Sequence, residues 1–263
     1  MKKETYLTCP DSTIFEGMTS ISAILKNYEQ NANKARTIVR VLVDKKRAAS
    51  KSREVSFLQK MAAKYGFPVL LVDAEQINAL TTGITHGGII AECGQKAIDL
   101  LCDHIDNIRE NGVYVMLDGI EDPYNFGYSV RSIYAAGANG IILPHRNWME
   151  VAGIVAKSSA GASELIDMYV ADPVEAIELF REKGYKVVCS GIRNAVSMYD
   201  ADMKYPILLI VGGEKRGISS KIEAIADEVV RIEYGRDFRG SLSAASAATI
   251  MVYEIYRQNR AEM

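Results

Sequence analysis

Val113–Asp118 reads VYVMLD, and four runs of the same kind follow it: GIILP at 140–144, YKVVCS at 185–190, PILLIVG at 206–212 and EVVRIEY at 228–234. Each is short and apolar at consecutive positions, the pattern of a strand buried on both faces. The stretches between them, at 126–136, 148–157, 173–183 and 218–226, space their apolar residues for helices. Alternation of this sort predicts a parallel sheet covered by helices on both sides, so the fold class is α/β. A long helix from Ser241 to about Gln258 is expected to close the chain.

Ahead of Val113 the alternation continues with shorter elements. Ile21–Tyr28 predicts a helix and Ile38–Val43 a strand; 52–65 predicts a second helix, stopped by Gly66 before Pro68. Pro68–Asp73 and Gly88–Cys93 read as two further strands around a short helix. Residues 95–110 put Ile98, Leu101, Cys102, Ile105 and Ile108 at helical spacing, predicting an amphipathic helix that ends at Asn111-Gly112. The expected organisation is a small α/β domain over 1–93, a linker helix over 94–112 and a larger α/β domain over 113–263.

With 263 residues, 48% of them hydrophobic and 24% charged, the chain can fill a proper core. Its longest apolar runs are far too short to cross a bilayer, and no apolar run follows Lys2 and Lys3 as in a signal peptide. Cys9, Cys93, Cys102 and Cys189 are scattered, with no C-x-x-C and no histidine at ligand spacing. A reduced, cytoplasmic protein without structural metal is the expectation. The net charge of −2 hides an asymmetry: residues 1–60 hold 12 Lys/Arg against 6 Asp/Glu, and 34–60 hold 9 against 2. The densest run, Lys45-Lys46-Arg47, reads either as a phosphate contact or as a solvated helix face.

Three segments at strand ends could carry chemistry. The first, Asp118 to Arg131 (DGIEDPYNFGYSVR), turns at Asp122-Pro123 and offers Asn125 as N-cap of a helix that carries Arg131. The second, LIVGGEKRGIS at 209–219, runs an apolar strand into two glycines and Glu214; it is neither a P-loop nor a dinucleotide fingerprint. The third, from Ile232 through Ser241 into a Ser/Ala-rich helix, is either tight helix packing or a hydroxyl-lined ligand site. Each also has a plain structural reading as a cap or turn. His86, His104 and His145 form no triad with a nucleophile: His104 reads as a surface residue and His145 as a loop residue near the site.

In this order the three segments resemble the motifs of the SpoU (TrmH-like) family of RNA 2′-O-ribose methyltransferases, of the SPOUT class. Asp122, Pro123, Asn125, Gly127 and Arg131 match its first motif, Gly212, Glu214 and Gly217 its second, and Ile232, Ser241 and Leu242 its third. Lys157-Ser-Ser-Ala-Gly-Ala162 resembles the family's Lys-x-Ser-x-Gly-Ala segment. Glu16-Gly17 and His86-Gly-Gly-Ile-Ile-Ala91 resemble the L30e-like substrate-binding domain found ahead of such enzymes. The chain departs from the pattern at Ser243, where the family commonly has Asn, and at Gly213, where Asn or Ala is usual.

The resemblance implies a C-terminal trefoil-knotted methyltransferase domain, a homodimer, and S-adenosylmethionine held by Gly212, Ile232 and Leu242. It implies transfer to a ribose 2′-hydroxyl of RNA, with 23S ribosomal RNA favoured over transfer RNA; a non-catalytic RNA-binding member is the rival, because of Ser243. Arg131, Asn125, Glu214 and Ser241 are the implied catalytic set. A guanidinium is too basic to serve readily as a general base, so Arg131 is expected to clamp the target phosphate. Lys45, Lys46 and Arg47 are the expected RNA contacts of the front end.

Overall fold

The computed structural model describes residues 12–31, 34–81, 85–96, 98–145, 151–215 and 217–260. The chain divides into two compact units, Met1–Ala97 with Asn147–Leu165, and Ile98–Arg146 with Ile166–Met263.

The first unit runs β1 (Ser12–Glu16), α1 (Gly17–Gln30), β2 (Ile38–Asp44), α2 (Lys45–Ala48), α3 (Ser52–Tyr65), β3 (Val69–Val72), α4 (Ala74–Asn78) and β4 (Ile89–Gly94). Its sheet has the order β1-β4-β2-β3; β4 pairs antiparallel with β1 and β2, and β2 parallel with β3. Helix α3 stops where expected, because Gly66 takes the left-handed conformation and returns its N–H to Ala62. Phe15, Ile21, Ile24, Val41, Val43, Leu58 and Ala91 make the core, joined by Ala152 and Ala156 from far along the chain.

The second unit begins differently from expectation. Residues 95–110 do not form an amphipathic helix: β5 (Asp99–Leu100) pairs parallel with Tyr169-Val170, and then come a single turn α5 (Leu101–His104) and a 3-10 turn (Ile105–Asn107). Leu101 and Ile108 are anchored in the core, and the two residues ahead of Leu101 complete a sheet edge, which outweighs helical spacing. Then follow β6 (Val113–Asp118), α6 (Pro123–Ala135) and β7 (Gly140–Leu143). The expected helix at 148–157 falls partly outside the described residues. Its described part belongs to α7 (Ala152–Ser158), which with α8 (Ala162–Leu165) is part of the first unit. A Cβ at Gly153 would lie 2.2 Å from the Ile14 carbonyl oxygen, and one at Gly161 would lie 2.5 Å from Ala23 Cβ. The glycine of the Lys157–Ala162 segment is therefore required by packing on α1, and Arg36 and Glu164 pair at 2.9 Å in the same buried layer. The segment 147–165 thus groups with residues 1–97.

β8 (Asp167–Val170), which the apolar runs did not disclose, precedes α9 (Pro173–Glu182), β9 (Lys186–Ser190), β10 (Val196–Ser197), β11 (Ile207–Gly212), α10 (Ser220–Ile225), β12 (Glu228–Arg231) and α11 (Ala244–Asn259). The sheet order is β10-β12-β9-β11-β6-β7-β8-β5, parallel at every pairing. Phe180, Ile177, Ile218 and Ile222 cover one face over Tyr114, Met116 and Cys189. All strands point one way, so the carboxyl ends of β6, β11, β9 and β12 share one edge. That edge is where open α/β sheets take their ligands.

Candidate active site

The first loop at that edge leaves β6 at Asp118. The N-cap of α6 is Asp122, not Asn125: its carboxylate accepts the Asn125 N–H at 2.8 Å, and Pro123 occupies the first helical position. Proline there has φ preset and lacks only an N–H that would have gone unused, so the cap falls one residue before it. With its backbone capped, the Asn125 side chain is released for another partner.

That partner is Glu214. β11 ends at Gly212, and Gly213 donates its N–H to the Asp118 carbonyl at 2.7 Å, while the Gly217 N–H returns to the Gly213 carbonyl at 2.9 Å. The closed turn presents Glu214, whose Oε1 accepts from Asn125 Nδ2 at 2.9 Å and from the Ala244 N–H at 3.2 Å. One carboxylate oxygen thus joins a residue of the first segment to the first turn of α11, directly after Ser241, Leu242 and Ser243. Negative charge at a helix N-terminus is favourable, which fixes the direction of the link. Ser243 is the N-cap of α11, its Oγ accepting from the Ser246 N–H at 3.1 Å. The serine that replaces the family's asparagine is therefore occupied in capping.

Other expected residues stand outside this link. Arg131 is exposed and has no ion pair among the described residues. Six positions along the helix from Asn125, it shares a face with Tyr124 and Tyr128 instead. Ser241 is exposed, Ile232 and Leu242 are half-buried at the two ends of the loop between β12 and α11, and the Leu242 N–H donates to Tyr234 Oη at 3.2 Å. Lys45, Lys46 and Arg47 lie together on α2 in the other unit, exposed; Lys45 approaches Asp73 at 3.5 Å and Arg47 approaches Asp44 at 3.6 Å. His104 pairs loosely with Asp99 at 3.4 Å, and His145 is exposed. No group of three or more metal-binding side chains occurs among the described residues.

The glycines of the second segment have a more local cause than ligand approach. A Cβ on Gly212 would meet the Gly217 carbonyl carbon at 2.5 Å and the Ile218 nitrogen at 2.6 Å; on Gly213 it would meet the Gly119 oxygen at 2.0 Å. Both are needed for the chain to close on itself.

Asp118 was not singled out as a site residue. It is half-buried beside Gly212 in the sheet register, and no side chain pairs with it among the described residues. Burial pushes its carboxyl above the usual 3.8. Both folded and unfolded forms are protonated at low pH, so nothing is lost there. As pH rises through the raised value, the folded state must carry a desolvated charge and loses stability. Asp118→Asn is therefore expected to raise the melting temperature at pH 7–8, with the gain vanishing below about pH 4. An unchanged difference across a pH series of melts would refute this.

Comparison with known proteins follows the same geography. Residues 112–253 match the model of the SpoU rRNA Methylase family, and 14–98 match that for RNA 2′-O ribose methyltransferase substrate binding. A putative TrmH family tRNA/rRNA methyltransferase of Bacillus subtilis is 28% identical over 76% of this chain and 81% of its own length. A 23S rRNA (guanosine-2′-O-)-methyltransferase of a Burkholderia species is 27% identical over 95% of this chain and 98% of its own. An AdoMet-bound rRNA methyltransferase from Sinorhizobium meliloti superposes with a TM-score of 0.76 at 23% identity, over 94% and 87%, a likeness of fold. Some longer relatives are spanned over only half to two thirds of their length. With the family model matching across the whole constellation around Glu214, this chain belongs to the SpoU rRNA methylase family and is a methyltransferase.

Proposed function

We propose that the chain transfers a methyl group from S-adenosylmethionine to a ribose 2′-hydroxyl of RNA, with 23S ribosomal RNA as its substrate. The observation that carries this is the meeting of the three motif segments at Glu214 Oε1. The choice of ribosomal RNA draws on the Burkholderia relative, which aligns over nearly the whole chain, and on the substrate-binding match at the front.

The strand ends fit the methyl donor. Ser190, Gly212 and Ile232 bring three neighbouring strands to one edge, and Ser190 Oγ accepts from the Gly212 N–H at 3.4 Å. The half-buried carboxylate of Asp118 at the same edge complements a positively charged ligand. Gly212, Ile232 and Leu242 would hold the donor, which when bound supplies a methyl group on a sulfonium. The protein's own work is placement. Glu214 fixes Asn125 and α11 against each other, Ser241 lines the entrance, and Arg131 binds the phosphate of the target nucleotide, orienting the ribose oxygen for in-line attack. The trefoil knot belongs to this reading, with the turn after Gly212, Ile232 and the Gly240–Leu242 turn wrapped around the donor.

Two further features complete the proposal. Tyr253 and Tyr256 on α11 hold exposed rings 6.2 Å apart, and Tyr134 on α6 is exposed as well, features suited to a second copy of the chain. The basic turn α2 would supply phosphate contacts. Replacing Lys45, Lys46 and Arg47 together by alanine should lower the salt slope of RNA binding by roughly two to three units, without moving S-adenosylmethionine affinity. An unchanged slope would make that turn a solvated surface. No helix of the described residues is long and apolar enough to cross a membrane.

The deciding experiment is transfer of labelled methyl groups from S-adenosylmethionine to ribosomal RNA taken from cells lacking the gene, followed by mass mapping of ribose methylation. Label in a 23S nucleotide supports the proposal, and label only in transfer RNA moves the substrate. RNA binding without any label would identify a non-catalytic member.

A further inference from the structure

Between Ile232 and Ser241 the chain carries Tyr234-Gly-Arg-Asp-Phe-Arg-Gly240, a loop that neither packing nor the link at Glu214 uses. Its two aromatic rings lie at the surface, Tyr234 with 40% and Phe238 with 57% of its area exposed. They are nevertheless held. The ring centroids are 5.8 Å apart at 55°, and Tyr234 Oη accepts the Leu242 N–H at 3.2 Å. Phe238 is seated against Gly240, where a Cβ would meet its ring carbons at 2.5, 3.0 and 3.1 Å. Any larger residue at 240 would push the ring away.

The charges are arranged to match. Glu233 is engaged by Arg231 at 3.6 Å, whereas Arg236 and Arg239 are exposed and have no ion pair among the described residues. Asp237 is the remaining acid, so the loop presents a net positive charge around its rings. A purely apolar partner would desolvate two guanidinium groups without compensation. An RNA helix would hide its base faces from the rings. A single strand satisfies both features, offering a π-face to stack and phosphates to neutralise.

We propose that Tyr234–Gly240 is a platform for an unpaired nucleotide flanking the methylated one, with Phe238 stacking on its base and Arg236 and Arg239 meeting the adjoining phosphates. Tyr234 backs the platform and ties it to Leu242, so that the base site and the site entrance are set by one hydrogen bond. This inference rests on the methyltransferase reading for what the nucleotide flanks, though not for the binding itself.

The test uses the full chain and an oligoadenylate of eight nucleotides carrying a central 2-aminopurine, single-stranded and as its duplex. Wild type should quench the single strand and bind the duplex much more weakly. Phe238→Leu should weaken single-strand binding by about tenfold, and Phe238→Trp should restore it. Arg236→Ala with Arg239→Ala should lower the salt slope by about 1.4, as two phosphate contacts are lost from a single strand. S-adenosylmethionine affinity, measured by calorimetry on each variant, reports that the neighbouring Leu242 is still in place. Equal affinity of wild type and Phe238→Leu, or equal binding of strand and duplex, overturns the platform. So does a change from dimer to monomer in Phe238→Leu with unaltered RNA affinity, which would give the rings to a second copy. If the variants lose RNA binding as expected but wild type methylates nothing, the methyltransferase reading fails and the platform stands.

Discussion

Arg131→Ala is expected to lower methyl transfer by about two to three orders of magnitude, the usual cost of removing a group that stabilises charge in the transition state. The fold should be unaffected, because the side chain is exposed and pairs with nothing among the described residues. Affinity for S-adenosylmethionine should hold as well. Arg131 lies on a different face of α6 from Asn125, the residue that joins the strand-end loops through Glu214. Arg131→Lys should recover little, since a point charge cannot offer a phosphate two parallel hydrogen bonds. Single-turnover rates at saturating donor, read beside calorimetric donor binding, separate the two effects. A variant that methylates at near wild-type rate would remove Arg131 from the reaction.

The second large effect is structural. In Gly213→Ala the new methyl group would start 2.0 Å from the Gly119 oxygen and 2.6 Å from its carbon, both backbone atoms with nowhere to rotate. One of the two loops must move, at a cost on the order of 3 kcal/mol, or roughly 5–10 °C in melting temperature. The displacement would carry Glu214 with it and break both hydrogen bonds to its Oε1, so donor binding should fall together with stability. Gly217 is the matched control: its φ is +63°, but a Cβ there meets nothing within 4 Å. Gly217→Asn, a residue that tolerates left-handed backbone, should therefore keep most of the stability. If Gly213→Ala melts with wild type while Gly217→Asn does not, steric closure of the turn is the wrong account.

The same contacts change why the second motif is glycine-rich. In the sequence, two glycines follow an apolar strand, and the family resemblance assigns Gly212 to the methyl donor. In the fold their missing side chains make room for Gly119, Gly217 and Ile218. The ligand inherits a tightly closed edge that the chain needed in any case.

Sequence by itself determined what depends on neighbours along the chain. Strands buried on both faces announce themselves as apolar runs, so β6, β7, β9, β11 and β12 were legible from Val113 onward, as was α3 with its Gly66 stop. Residue identities at strand ends likewise set out Asn125, Glu214 and the start of α11 as candidates. Tertiary structure decided whatever depends on contacts between distant segments. Residues 95–110 have helical spacing but complete a sheet edge against Tyr169 and Val170, because an open strand edge outweighs a weak local preference. Proline at 123 and the carboxylate of Asp122 took the cap and released Asn125 for a residue 89 positions away. α7 and α8 joined the front unit because two glycines let them lie against Ile14 and Ala23, a fit that no periodicity records. Phe238 and Tyr234 look like ordinary apolar residues in the sequence; only the folded loop, which holds them in place without burying them, shows that they form a surface.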